Sequence, residues 1–162
     1  MSINRYKPHI IVLPEDRANE EITNGFIQAP NVNNCAIQVE RPANGWGKVV
    51  EKFTEQLIPE MRKFTERITV LLIDFDQHKN RLDIVKKEIP DDLKDRVFVL
   101  GVLSEPENLK REINKTFEEI GDFLAKDCPD NKNELWGHDL LRHNGTELDL
   151  IIPLVQPFLF RA

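Results

Sequence analysis

Ile68-Thr69-Val70-Leu71-Leu72-Ile73-Asp74-Phe75-Asp76 is the stretch on which the reading of this chain turns. Apolar or β-branched residues run from Ile68 to Ile73 without a charge, and two carboxylates then appear two positions apart. A run so short and so continuous predicts a strand buried on both faces, central in a parallel sheet. The acids fall at its carboxyl end, which in an open α/β sheet faces the ligand crevice.

Upstream of this strand, Lys48 to about Thr65 predicts a long helix, because Val49, Phe53, Leu57, Met61 and Phe64 recur at helical spacing. Pro59 is expected to kink it or divide it in two. Before it lies the loop Pro42-Ala43-Asn44-Gly45-Trp46-Gly47, and before that Cys35 to Glu40 alternates as a strand nearer the sheet edge would. His9-Ile10-Ile11-Val12-Leu13 predicts the first strand. Pro14-Glu15-Asp16 stops it, and a helix follows with Ala18, Ile22, Phe26 and Ile27 on its apolar face.

Downstream, Lys79 to Glu88 predicts a short helix with Leu82, Ile84 and Val85 facing inward. Arg96 to Leu103 predicts a fourth strand. Ser104-Glu105-Pro106-Glu107 has the form of a capping box, opening one helix that runs to about Lys126 through Leu109, Ile113, Phe117, Ile120 and Leu124. Strand and helix alternate throughout. The expected fold is therefore a single α/β domain over residues 1–162. It has three layers: a mostly parallel, Rossmann-like sheet of about four to five strands with helices on both faces.

Residues 128–162 are expected to form a C-terminal extension packed on the core or on a partner. Leu135 to Gly145 predicts a short helix closed by Asn144-Gly145. Leu148 to Phe160 is strongly apolar, but Pro153 and Pro157 argue against an uninterrupted strand or helix. A helix, an edge strand and a docked tail all stay open. So large an apolar surface requires burial in its own core or against a second copy, so a homodimer through this segment is one expectation.

The net charge of −6, with 31 % charged and 40 % hydrophobic residues, is that of an ordinary soluble domain. It argues against an extended nucleic-acid footprint, while leaving room for a local basic patch or a metal bridging to phosphate. The polar start, residues 1–7, lacks the apolar core of a signal peptide. No stretch is long enough to span a bilayer, so no membrane partner is expected. Cys35 and Cys128 have no metal-ligand spacing and read as reduced thiols, consistent with a cytoplasmic setting.

The candidate chemistry lies at the strand ends. Glu15 and Asp16 follow the first strand, Asp74 and Asp76 the third, Glu105 and Glu107 the fourth. A parallel sheet turns all of them toward one edge, where carboxylates repel unless a cation sits among them. Hard oxygen ligands suit Mg²⁺ or Mn²⁺. Asp74 and Asp76 share a face if strand geometry continues. The metal ligands expected on these grounds are Glu15, Asp74, Asp76 and Glu105. The plainer explanation is that such acids cap helices, and it accounts fully for Ser104 to Glu107. His78, two residues beyond Asp76, is a candidate proton carrier, set against an ordinary solvated loop histidine. Lys79, Arg81, Lys86 and Lys87 form the most basic local cluster, either a solvated helix face or a means of steering phosphate. Asn44-Gly45-Trp46-Gly47-Lys48 matches no nucleotide fingerprint and is taken as a turn.

A glutamate after the first strand, followed some sixty positions later by Asp-x-Asp at the end of a hydrophobic strand, resembles the Toprim domain of topoisomerases, primases and related nucleases. The resemblance covers about residues 9–105 and extends to small stand-alone bacterial proteins with that domain. It implies that Glu15, Asp74 and Asp76 handle a divalent metal and phosphodiester chemistry. Pro14 stands where the family usually has a glycine-containing turn.

Three functions follow as expectations. In the first, a metal-dependent domain acts on nucleic acid or another phosphate ligand, with Glu15 as a catalytic acid and Arg81 offsetting charge. In the second, a non-catalytic module binds or dimerises through the apolar C-terminal segment. In the third, a receiver-like phospho-acceptor uses Glu15 and Asp16 to hold Mg²⁺ and Asp74 to take the phosphoryl group. No clear lysine at the end of a fifth strand supports this last reading.

Overall fold

The computed structural model describes residues 3–78, 80–129 and 133–161, so Met1 and Ser2 of the polar start and the Lys79 of the basic cluster lie outside the described residues. In chain order the elements are β1 (His9–Pro14), α1 (Arg17–Gln28), β2 (Ile37–Val39), α2 (Trp46–Lys52), a π-helical turn (Phe53–Leu57), α3 (Ile58–Lys63) and β3 (Arg67–Leu72). Then follow α4 (Asn80–Lys86), β4 (Val97–Leu100), α5 (Pro106–Ile113), α6 (Phe117–Asp127) and α7 (Gly145–Leu159).

The sheet is parallel throughout, in the order β2-β1-β3-β4. β3 lies between β1 and β4, with Leu71 beside Leu13 and Val99. Its uncharged run is what such a position demands, because the two faces of the strand enter two cores. Ile68 and Val70 join the layer that contains Ile22, Leu124 and Val155. Leu71 and Ile73 join the layer that contains Phe53, Met61 and Val85. Helices therefore cover both faces, as a three-layer α/β fold requires. The short β2 lies at an edge, where its wetter face is tolerated.

Pro59 divides the helix ahead of β3. It occupies the first turn of α3, directly after the π-helical turn, so its missing N–H falls where no regular helical bond is needed. The helix expected from Ser104 to Lys126 is two helices. Asn114 adopts a left-handed conformation between them (φ 53°). The capping box is formed by Thr116 and Glu119, not by Ser104 and Glu107. Thr116 Oγ1 accepts from Glu119 N–H, and the Glu119 carboxylate accepts from Thr116 N–H. Ser104 is buried, and its hydroxyl accepts from the Asn108 amide. Ile84 faces solvent rather than the core; only Val85 of its neighbours in α4 is fully buried.

α1 and α6 cross at two glycines. A Cβ on Gly25 would lie 2.1 Å from the Glu118 carbonyl oxygen, and one on Gly121 would lie 1.9 Å from the Ile22 carbonyl oxygen. Backbone meets backbone there, which only glycine permits.

In place of the expected short helix, residues 133–144 form turns ending in a single 3₁₀ turn, Arg142–Asn144, and they bond the residues that follow β4. Leu103 N–H donates to the Leu140 carbonyl. The buried Asn144 amide acts as a strand would: it accepts from Gly101 N–H and donates to the Gly101 carbonyl. Asn144-Gly145 thus opens a helix rather than ending one. That helix, α7, continues through both prolines. Pro153 and Pro157 are exposed, on the side of the helix that faces away from the core. The inner face of α7 buries Leu148, Ile151, Ile152, Val155 and Leu159 in this chain's own core. Its far end is tied to the α1–β2 connection by a bridge between Val32 and Phe160. No helix among the described residues is long and apolar enough to cross a membrane.

Candidate metal centre

The sheet topology brings the carboxyl ends of β1 and β3 side by side, with Pro14 level with Leu72. Both chains then step into their acids. Glu15 N–H still bonds the Leu72 carbonyl, so the β1–β3 ladder runs up to the first of them. One carboxylate oxygen each from Glu15, Asp16 and Asp74 lies within 4.8 Å of the others. This is the carboxylate set the fold assembles. It contains Asp16, which only the phospho-acceptor reading had placed at a metal, and does not contain Asp76.

Each acid is held from a different direction. Asp16 is the N-cap of α1 and accepts from Asn19 N–H at 3.0 Å. The Asn19 side-chain amide donates to Asp16 at 3.0 Å and to Asp74 Oδ1 at 2.8 Å, clamping the two acids together. Glu15 Oε1 accepts from Asp74 N–H at 3.3 Å. The Glu15 carbonyl accepts from Asn44 and Gly45 N–H, which fixes the glycine loop against the site. Asn19 itself is buried, and no motif marked it. The one trace in the sequence is a polar residue three positions after Asp16, on the stripe that continues to Ile22 and Thr23.

The electrostatics follow from this crowding. Asp74 is only 7 % exposed. Burial, together with the charges of Asp16 and Glu15, pushes its carboxyl up to about 8, against the pull of the Asn19 amide. Glu15 is also raised, first by burial and then by Asp16, with the hydrogen bonds from Asp74 and the charge of Arg81 acting the other way. At neutral pH without a cation the cluster retains a proton.

Arg81 brings a positive charge to the site. Its Nη1 donates to the Asp74 carbonyl at 2.6 Å, and its guanidinium lies 4.7 Å from the centre of the Trp46 ring. Trp46 thus stacks on an arginine, a contact that no motif marked, and it brings the glycine loop to the acids.

The remaining sequence candidates lie apart from the carboxylate set. Asp76 is exposed and has a left-handed backbone (φ 51°), and Gln77 follows it in the same region (φ 66°). Strand alternation has ended by then, so the spacing of two no longer places Asp76 with Asp74. His78 is exposed. Glu105 is exposed at the start of α5 and makes no side-chain capping bond. His9 lies at the opposite edge of the sheet, buried, with its Nε2 accepting from Arg67 Nε at 3.0 Å.

No family model, curated protein or solved structure matches this chain. The assignment of function therefore rests on the residues themselves.

Proposed function

We propose that Glu15, Asp16 and Asp74 hold a divalent cation, Mg²⁺ or Mn²⁺, and that the protein uses this centre on a phosphodiester or related phosphate substrate, the chemistry of the Toprim resemblance with Asp16 in place of Asp76. The observation that carries the reading is the buried Asp74 carboxyl, clamped by Asn19 against two further carboxylates. A buried acid drawn against two half-buried ones costs free energy that a hard cation offsets. The donor set suits such an ion: all ligands are oxygens, and three protein ligands leave positions for water and substrate. When bound, the ion supplies Lewis acidity toward a phosphoryl oxygen and lowers the pKa of a bound water.

The chain's own residues have separate tasks. Asn19 orients Asp74 and Asp16. Arg81, held by the Asp74 carbonyl and braced on Trp46, presents its remaining N–H groups toward an anionic substrate. Nucleic acid is a fitting substrate at such a site only through local phosphate contacts, since the chain as a whole is acidic.

A metal-dependent hydrolysis assay tests this reading, using an aryl phosphodiester and single-stranded DNA with Mn²⁺. Turnover should fall to background in Asp74→Asn and by about 10²-fold in Arg81→Ala. Equal turnover in wild type and Asp74→Asn contradicts it.

One observation favours the phospho-acceptor reading over the other alternative. The acid that joins Glu15 and Asp74 is Asp16, as that reading requires. A stable mass increase on Asp74 after incubation with Mg²⁺ and acetyl phosphate supports it, and its absence removes it. The non-catalytic, dimerising alternative has only the outward Leu150 and Leu154 of α7 behind it.

A further inference from the structure

The layer of the core behind the acid cluster is not filled. A cavity of about 100 Å³ lies between the sheet and the inner faces of α1, α6 and α7. Its walls include Ile10, Val70, Ile22, Ile151, Val155 and Trp136. Protein interiors seldom leave a void of this size, because each missing contact costs dispersion energy and the chain collapses to recover it.

The polar atoms in the wall are already committed. The Trp136 indole N–H donates to the Leu124 carbonyl, so the cavity meets the ring and not the donor. The Thr23 hydroxyl donates to the Asn19 carbonyl. Burial pushes the Cys128 thiol up to about 12, which keeps it neutral and makes the sulfur one more soft apolar surface. A water placed here would find none of the two to four partners it needs. A dry apolar cavity does take up compact apolar molecules: one of about 150 Å³ in another protein binds benzene and xenon.

A smaller space of about 30 Å³ shares Ile22, Leu72, Leu100, Leu124 and Trp136 with the cavity and reaches Asn19 and Gly101. The two spaces share one wall, and the smaller lies beside the residue that clamps Asp74.

We propose that the larger cavity is a binding site for a compact apolar molecule, benzene-sized or smaller, lodged between the sheet and α1, α6 and α7. The claim is independent of the metal centre: it rests on volume and wall chemistry. α7 is the wall suited to admit a ligand. Pro153 and Pro157 remove two of its N–H donors, so it is held by its apolar face and its tied end more than by its own ladder.

The test uses the wild-type protein with isoleucine methyl groups labelled, titrated with benzene and, separately, equilibrated with xenon. Shifts are expected at Ile10, Ile22, Ile37 and Ile151, which line the cavity, and not at Ile73 and Ile89, which belong to the other core layer. At a benzene concentration ten times Kd, the melting temperature should rise by about 3–6 °C. No methyl shift with either probe overturns the proposal. Shifts of equal size in both layers overturn it too, since they mark non-specific partitioning. Val155→Phe, which fills the space from α7, should abolish the benzene shifts; shifts that persist in a folded Val155→Phe place the ligand elsewhere and overturn the site.

Discussion

The metal-free protein should lose stability as pH rises from about 6.5 to 8, and Asp74→Asn should remove most of that loss. The Asp74 carboxyl titrates near 8 when folded and near 3.8 when exposed. Between those values the unfolded chain gives up the proton while the native state keeps it. The stabilising contribution is complete below the unfolded value, declines as pH climbs, and is gone above the folded value. One such group tilts the stability curve by at most about 1.4 kcal/mol per pH unit. Glu15, also raised, works in the same direction. His9 works in the other: burial lowers its pKa, so its contribution is present above the unfolded value of 6.5 and is lost on acidification below it. That keeps His9 out of the alkaline window. At pH 8, Asp74→Asn should be more stable than wild type by at least about 2 kcal/mol, a rise in melting temperature of at least about 4 °C. Thermal unfolding across this range, with metal chelated, measures it. Parallel pH profiles for the two proteins would mean that Asp74 is ionised and solvated.

Gly121→Ala gives the second large effect, and its sign is the point. In an exposed helix this change stabilises by about 1 kcal/mol. In α6 the added methyl would stand 1.9 Å from the Ile22 carbonyl oxygen and 2.6 Å from Phe26 N. Both are backbone atoms of α1, so no side chain can rotate out of the way. The two helices must separate, opening the core layer that holds Ile22, Ile120 and Leu124. The expected cost is about 3 kcal/mol or more, net of the propensity gain. Chemical denaturation reads it directly. A neutral or stabilising result would show that α1 and α6 do not cross at this position.

The sheet was legible because its strands carry their environment in their composition. An uncharged run such as Ile68 to Ile73 has few places to go but a buried central strand, and the alternation of Cys35 to Glu40 marks an edge. Helix breaks were harder to see. Leu109, Ile113, Phe117, Ile120 and Leu124 keep their spacing straight through the gap between α5 and α6, because both helices contribute to the same core layer. The break rests on Asn114 in a left-handed turn, a job usually given to glycine. The true capping box, Thr116 with Glu119, was present in the sequence but hidden within that apparent continuity. The prolines of α7 misled for a different reason. They are costly inside a buried helix, and here both lie on the watered side.

The site was half legible. Strand ends point to Glu15 and Asp74, and topology alone brings them together. Asp76 was read by a rule of alternation that holds only while the backbone stays extended, and the chain turns left-handed at that residue. Asp16, a strand-end acid that capping could also explain, does both: its carboxylate accepts from Asn19 N–H and belongs to the acid cluster. Asn19 had no visible role because a buried amide bridging two acids depends on a contact 55 residues away in the chain.

The central claim is tested most directly by calorimetric titration of Mn²⁺ at neutral pH into wild type, Asp74→Asn and Asp76→Ala, repeated in two buffers of different ionisation enthalpy. Wild type and Asp76→Ala should bind alike and release protons, because an ion entering the cluster displaces the proton that Asp74 retains. Asp74→Asn should bind at least about tenfold more weakly, a loss of about 1.4 kcal/mol, and release fewer protons. No binding by wild type, or equal binding by wild type and Asp74→Asn, would reduce Glu15, Asp16 and Asp74 to a helix cap and its neighbours.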